Sequence, residues 1–237
     1  MTDVIQWDLG RIEYGDAWDL QESILKQGIE KKLAGLPSNS EFIENYLLLC
    51  QHPHVYTLGK HGNREHLIIN DKECERKGIS FYVTNRGGDI TYHGPGQLVA
   101  YPVLDLEQFV PDIRKYISSL EEVIIRLLKD YGIEAGRLDG FTGVWIEPGV
   151  PGRERKICAI GVKCSRWITI HGLAFNMNTD LGFFNHIIPC GITDKAVTGM
   201  DKELGHPVDE KEVTQKFCEK FSEVFGAKLI QKQEVGL

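Results

Sequence analysis

The chain has 237 residues, 42% of them hydrophobic, which suffices for one large core or two modest ones and removes any need for disulfide staples. A net charge of −7 sets the field of the whole molecule against a broad nucleic-acid-binding surface, so nucleic acid is not expected as a partner. The opening MTDVIQWDLG has no basic segment leading into an apolar stretch, and no run of about eighteen apolar residues occurs anywhere, which points to a soluble, cytoplasmic protein with no membrane partner.

In chain order, β-branched and aromatic residues bounded by Gly, Asn or Pro predict a first strand over 3–8, and apolar periodicity predicts a helix over about 16–34. Strands are predicted next at 45–58, 79–85 and 90–104. A helix over about 111–131 has the clearest pattern: Ile113, Tyr116, Ile117, Leu120, Ile124, Leu127 and Leu128 recur at i+3/i+4 spacing behind Pro111. Strands at 143–147, 156–163 and 168–178 and a helix at 209–225 follow, with WIEPGVPGRERK (145–156) as an exposed, basic, turn-rich loop. No repeat, low-complexity tract or linker divides the chain, so one domain over 1–237 is expected. Consecutive strands joined by short turns predict an α/β protein of the α+β type, with a mixed, largely antiparallel sheet flanked by helices.

The segment NRGGDITYHGPGQLVAYPVLDL (85–106) crowds glycine and proline into its first half, yet matches neither G-x-G-x-x-G nor the P-loop pattern. Two readings stand. One is a pair of tight turns, at Gly87-Gly88 and Gly94-Pro95-Gly96. The other is a backbone wall for a slender, mostly apolar ligand, with Arg86, Thr91, Tyr92, His93 and Gln97 as its polar side chains.

The cysteines, Cys50, Cys74, Cys158, Cys164, Cys190 and Cys218, lack C-x-x-C spacing, so reduced thiols are expected rather than a zinc knuckle or a disulfide framework. Cys50 and Cys218 read as core thiols, and Cys74, in the charged run DKECERK, as a surface thiol. Cys190 stands between Pro189 and Gly191, at a turn that presents a thiol and keeps backbone amides available to an oxyanion, and is the best nucleophile candidate. A thiolate needs a neighbouring cation or base, and His186, Lys195, His171, His93 and Lys156 all qualify by type; spacing does not choose among them. Cys158, Cys164, His171 and Cys190 fall outside usual zinc-ligand spacings, and His52-Pro53-His54 reads as packed imidazoles, so no metal is expected.

Six ordered segments, LLLCQHPHVYTLGK (47–60), RGGDITYHGPGQLVAYPVLDL (86–106), GVWIE (143–147), RKICAIGVK (155–163), HGLAFNMNTDL (171–181) and IIPCGI (187–192), closely resemble the octanoyltransferase family, also called lipoate-protein ligase B. The resemblance implies the fold shared with biotin and lipoate protein ligases. It implies transfer of an octanoyl group from octanoyl-acyl carrier protein to a lysine of a lipoyl domain, as the first step of lipoate assembly. The acceptors it implies are the lipoyl domains of 2-oxoacid dehydrogenase complexes and the glycine cleavage H protein. By the same resemblance Cys190 carries the acyl thioester and Lys156 assists it. Substrate contacts fall on Arg86, Gly87, Gly88, Asp89, Ile90, Thr91, Tyr92 and His93, on Ala159, Ile160 and Gly161, and on Gly172, Leu173 and Ala174. Cys158, where the family commonly has alanine, puts a second thiol near the site.

An acyl carrier thioester is already activated, so this chemistry needs no nucleotide or other cofactor, which accords with the missing phosphate loop. Burying an octanoyl chain at about 0.8 kcal/mol per methylene gives roughly 5 kcal/mol before ordering costs, and Gly87, Gly88 and Gly172 are expected as close-approach positions along it. An acidic carrier protein is expected to dock on a local basic surface, for which GRERK (152–156) with Lys163 and Arg166 is the candidate. Two rival classes remain: an ATP-dependent ligase of the same fold, which needs no cysteine, and a carrier-binding module without catalysis.

Overall fold

The computed structural model describes residues 1–39, 41–188 and 195–232. The chain runs through β1 (Thr2–Arg11), α1 (Tyr14–Leu33), β2 (Tyr46–Gln51), β3 (Val55–Leu58), α2 (Asp71–Arg76), β4 (Ser80–Val83), β5 (Ile90–His93) and β6 (Gln97–Val103). There follow α3 (Ile113–Asp130), β7 (Ala135–Leu138), β8 (Phe141–Ile146), β9 (Arg155–Ser165) and β10 (Ile168–Asn176). The described chain closes with β11 (Ala196–Val197), α4 (Met200–Leu204), α5 (Glu210–Phe225) and β12 (Ala227–Gln231).

The large sheet has the order β12-β1-β2-β6-β10-β9-β8-β7, with β11 paired to β9. Strand β1 is parallel to both neighbours, whereas β2, β6, β10, β9, β8 and β7 alternate in direction, which gives the mixed, largely antiparallel sheet read from the sequence. Helices cover both faces. Leu120, Ile124 and Leu127 of α3 and Phe217 and Phe221 of α5 pack on one; Ala17 and Leu25 of α1 pack with Ile170 and Val99 on the other. A strand covered on both faces is apolar on both sides of its pleat, and β10 is buried along its whole length. Helix α3 begins after Pro111 because the Asp112 side chain accepts from the Arg114 and Lys115 amides.

Two predicted strands are each two strands. The 45–58 run breaks at His52-Pro53-His54 and the 90–104 run at Gly94-Pro95-Gly96, and at both breaks the chain changes sheets: β2 and β6 belong to the large sheet, β3 and β5 to a small one of order β4-β3-β5. Proline lacks the amide a ladder needs. Gly96 has φ +79°, and a Cβ there would meet the Asn178 carbonyl at 2.5 Å. These crossings set the 85–93 segment against β9, where the Gly87 amide donates to the Val162 carbonyl (3.0 Å). Cys74 is buried rather than a surface thiol, because the single-turn-and-a-half α2 turns it into the small-sheet core beside Tyr56 and Ile79.

Candidate active site

A cavity of about 480 Å³ lies between the β9–β10 face of the large sheet and the 85–93 segment. Lys156, Ala159, Ile160 and Gly161 line it from β9; Gly172, Leu173 and Ala174 line it from β10. Arg86, Gly87, Gly88, Asp89, Ile90, Thr91 and His93 close it from the facing segment. Tyr92 does not reach it. Its ring turns into the small-sheet core, stacked on Phe183 with its hydroxyl 2.7 Å from His54 Nδ1.

The end of the cavity at Arg86 is built from backbone. The Arg86 guanidinium donates to the carbonyls of Thr57 (2.5 Å), Asp89 (2.7 Å) and Gly87 (3.0 Å), so its charge organises the loop. A Cβ on Gly161 would stand 2.8 Å from the Gly87 carbonyl, one on Gly172 2.1 Å from the Ala100 carbonyl, and one on Gly59 2.3 Å from the Gly88 carbonyl. Gly161 and Gly172 are thus bare because backbone crosses backbone there, which corrects the expectation that Gly172 makes room for an acyl chain. Gly88 has φ +89° and only Arg86 Nη1 near its Cβ position, so it is a left-handed turn residue, as the turn reading holds.

A buried polar chain runs along the cavity floor. Arg86 donates to the Thr57 hydroxyl (2.9 Å), which lies 3.3 Å from His93 Nε2; His93 Nδ1 donates to Gln97 Oε1 (2.9 Å), and the Gln97 amide donates to Asn176 Oδ1 (2.9 Å). The Asn176 amide donates to the Thr198 carbonyl (2.9 Å), and the Thr198 amide to the Lys156 carbonyl (2.9 Å). The chain therefore ties the glycine loop to the strand that carries Lys156.

At the opposite end, the Lys156 ammonium lies over the buried Trp145 ring, 4.7 Å from its centroid. Phe141 packs edge-on against Trp145, lines the cavity, and carries the Lys195 ammonium 5.3 Å from its own centroid. Gly143 (φ +118°) brings β8 against β9, and its amide donates to the buried Glu121 carboxylate (3.0 Å). Neither Glu121 nor Asn176 carries a local signal of its role, and none separates Trp145 in GVWIE from an ordinary core aromatic.

Of the five groups weighed as partners for a thiolate, His93 and His171 line the cavity, but burial pushes His93 well down and His171 to about 3, so both are neutral at pH 7. His186 is held 3.0 Å from the Tyr56 hydroxyl, away from the lining. Lys156 and Lys195 remain as the cations. Cys190 lies outside the described residues. The chain before it is fixed by the Ile188 amide donating to the His66 carbonyl (2.8 Å), and the chain after it by Val197 pairing with Lys156. Cys158 has no exposed surface and burial pushes its thiol far up, so it is no competitor for thiol reagents.

The basic stretch is not one open patch. Arg153 and Arg155 both pair with Glu147, Arg155 is bidentate on Glu203 (2.6 and 2.7 Å), and Lys163 pairs with Glu22 (3.0 Å). Arg155 and Lys163 are also eight residues apart on a single strand, roughly 26 Å.

The layered α/β fold is that of the lipoate protein ligases. Residues 13–222 match the sequence model of the lipoyl protein ligase A/B catalytic domain, and the chain belongs to that family. Within it the chain is a member of the octanoyltransferases. It is 53% identical over 213 residues to an octanoyltransferase of Cytophaga hutchinsonii, covering 89% of this chain and 87% of that one. It is 50% identical to an octanoyltransferase of Flavobacterium johnsoniae, covering 94% and 97%. Among solved structures, a bipartite lipoate protein ligase from Thermoplasma acidophilum has the same fold (TM-score 0.70, 17% identity, 99% of this chain and 88% of that one). So does a lipoate-protein ligase A bound with ATP (TM-score 0.68, 15% identity, 98% and 90%).

Proposed function

We propose that this chain is an octanoyltransferase of lipoate biosynthesis that takes the octanoyl group from octanoyl-acyl carrier protein and passes it, through a thioester on Cys190, to a lysine of a lipoyl domain. The observation that carries this reading is the cavity itself, which joins Lys156 at one end to the Arg86–Thr91, Ala159–Gly161 and Gly172–Ala174 walls in one continuous cleft. Its acceptors are the lipoyl domains of 2-oxoacid dehydrogenase complexes and the glycine cleavage H protein.

In the first half-reaction the Cys190 thiolate attacks the acyl carbonyl, the new carbon–sulfur bond forms, and the carrier thiolate leaves. A cation beside a thiol favours its thiolate, and Lys156 stands where Val197, seven residues after Cys190, is paired. In the second half-reaction an acceptor lysine amine attacks the enzyme thioester, the amide bond forms, the Cys190 sulfur leaves, and the proton lost from the amine passes to a neighbouring base. Lys156, having given its proton to the departing carrier thiolate, serves as that base.

Intact-mass measurement after mixing with octanoyl-acyl carrier protein, without ATP, tests this. An adduct of one octanoyl group, absent in Cys190→Ser and discharged by a lipoyl domain, is expected. Transfer that requires ATP and free octanoate would assign the chain to ligase chemistry instead, and an inert protein would leave a binding module.

A further inference from the structure

We propose that Trp145 is a positioning residue for acyl transfer, its ring holding the Lys156 ammonium at the cavity from the neighbouring strand; the inference rests on the octanoyl-transfer reading above. Its ground is a break in strand register. Val144 pairs with Cys158 but Trp145 with Lys156, so one step along β8 answers two along β9, and a bulge lies at Ile157. Along a regular strand Lys156 and Cys158 would share a face. The bulge parts them: Ile157 and Cys158 both lack exposed surface and pack in the core under α3, while Lys156 lines the cavity with Ala159 and Gly161.

The bulge is locked from α3. A Cβ on Gly143 (φ +118°) would stand 2.5 Å from the Cys158 carbonyl and 3.5 Å from Lys156 Cε, so a glycine is what lets β9 come this near. The Gly143 amide donates to Glu121 Oε1 (3.0 Å), and Arg137 Nε donates to Glu121 Oε2 (3.0 Å). Trp145 is fixed as well. It is 1% exposed and its indole N–H donates to the Phe141 carbonyl (3.3 Å), which leaves the ring to meet its cross-strand partner, the Lys156 ammonium 4.7 Å from the centroid.

An aromatic face attracts an ammonium and not a neutral amine, and because the ring does not titrate, the attraction is the same at every pH. The charged groups around Lys156 are Glu121 from α3, Lys195 over Phe141 with Glu154 at 3.6 Å, and Arg155 with Glu147 and Glu203. The Cys158 thiol is pushed far up by burial and stays neutral. Replacing the ring leaves all of these in place. What the ring adds is a fixed seat for the ammonium, which favours a thiolate in the first half-reaction and leaves a more basic amine for the second.

The test follows acylation by octanoyl-acyl carrier protein from pH 7 to pH 9, by stopped-time intact-mass measurement, in the full chain, Trp145→Phe and Trp145→Leu. Phenylalanine keeps a weaker ring and leucine none. At pH 7 acylation is expected to fall about threefold in Trp145→Phe and about tenfold in Trp145→Leu, with both deficits closing toward pH 9, where a thiol ionises without help. A packing defect alone would slow the reaction by one factor at every pH and follow the melting temperature. That result, or a pH dependence matching wild type in a folded variant, would overturn the positioning role and leave the functional reading intact. If Trp145→Leu fails to fold, Trp145→Phe decides by the same criterion. No adduct on the wild-type chain would overturn both.

Discussion

The two ends of the cavity are built by opposite means. At the Arg86 end, backbone packs on backbone: Gly87 on Val162, Gly161 under the Gly87 carbonyl, Gly172 under the Ala100 carbonyl, with a buried arginine bonded to three carbonyls. At the Lys156 end, side chains meet side chains, with two ammonium groups over the Phe141–Trp145 pair and the chain after Cys190 anchored alongside, where Val197 pairs with Lys156. A wall of backbone has few alternative arrangements and suits a template, whereas ammonium groups on flexible stems suit proton transfer, in which position and charge must change during the reaction. The difference predicts that substitutions at the Arg86 end act through stability and shape, and those at the Lys156 end through rate.

The sharpest test of that division is Gly172→Ala. Its Cβ would stand 2.1 Å from the Ala100 carbonyl and 2.8 Å from Pro102 Cδ, so β6 and β10 must separate. A loss of at least about 3 kcal/mol is expected, a melting temperature lower by about 10 °C for a chain of this size. Melting within a degree or two of wild type would show that this glycine faces open cavity.

Acid acts on the template end next. His52 donates to the Ile12 carbonyl (2.8 Å), accepts from the Tyr101 hydroxyl (2.7 Å) and is pushed by burial down to about 4. Its folded value lies below the unfolded one, so the unfolded chain takes up a proton that the folded chain refuses, and stability falls as pH drops from about 6.5 toward 4. His93 and His171 act in the same sense. Each such group costs about 1.4 kcal/mol per pH unit, or about 2 kcal/mol by pH 5. Unfolding free energies from denaturant titration at pH 7 and pH 5 should therefore converge in His52→Gln by about that amount. An unaltered pH slope would mean that His52 titrates in the folded protein.

Gly88→Ala gives the smallest effect. Its φ of +89° strains any side chain, yet its Cβ meets only Arg86 Nη1 at 3.4 Å, so a loss of about 1 kcal/mol and equal slowing for short and long acyl donors are expected. Slowing confined to longer donors would restore the reading of Gly88 as a wall for the acyl chain.

The large elements were legible because their signals are local. The i+3/i+4 pattern of α3 and the β-branched runs of β9 and β10 fix type and approximate extent. Pro53 and Gly94-Pro95-Gly96 marked turns, but that both turns pass the chain between two sheets is a tertiary fact with no local signature. For the candidate site, quoted motifs located the walls, but that Tyr92 turns into the small-sheet core against Phe183 is a tertiary fact with no local signature. Glu121, Asn176 and Tyr14 reach the site from α3, β10 and α1, from positions whose sequence context is that of ordinary helix or strand residues. The paired state of Arg153 and Arg155 depends on Glu147 and Glu203, the latter 48 residues from Arg155 in sequence.

The central claim, that the Lys156 end carries the chemistry, is tested most directly by the acylation rate of Lys156→Ala, followed by stopped-time mass spectrometry with octanoyl-acyl carrier protein from pH 7 to pH 9. A thiol without a neighbouring cation titrates near about 8.5, and an ammonium beside it lowers that value by about a unit or more. The variant should therefore acylate slowly at pH 7, recover part of the rate toward pH 9, and still fail to pass the group to a lipoyl domain for want of a base. Acylation at the wild-type rate at pH 7 would contradict the account and move the activating role to Lys195.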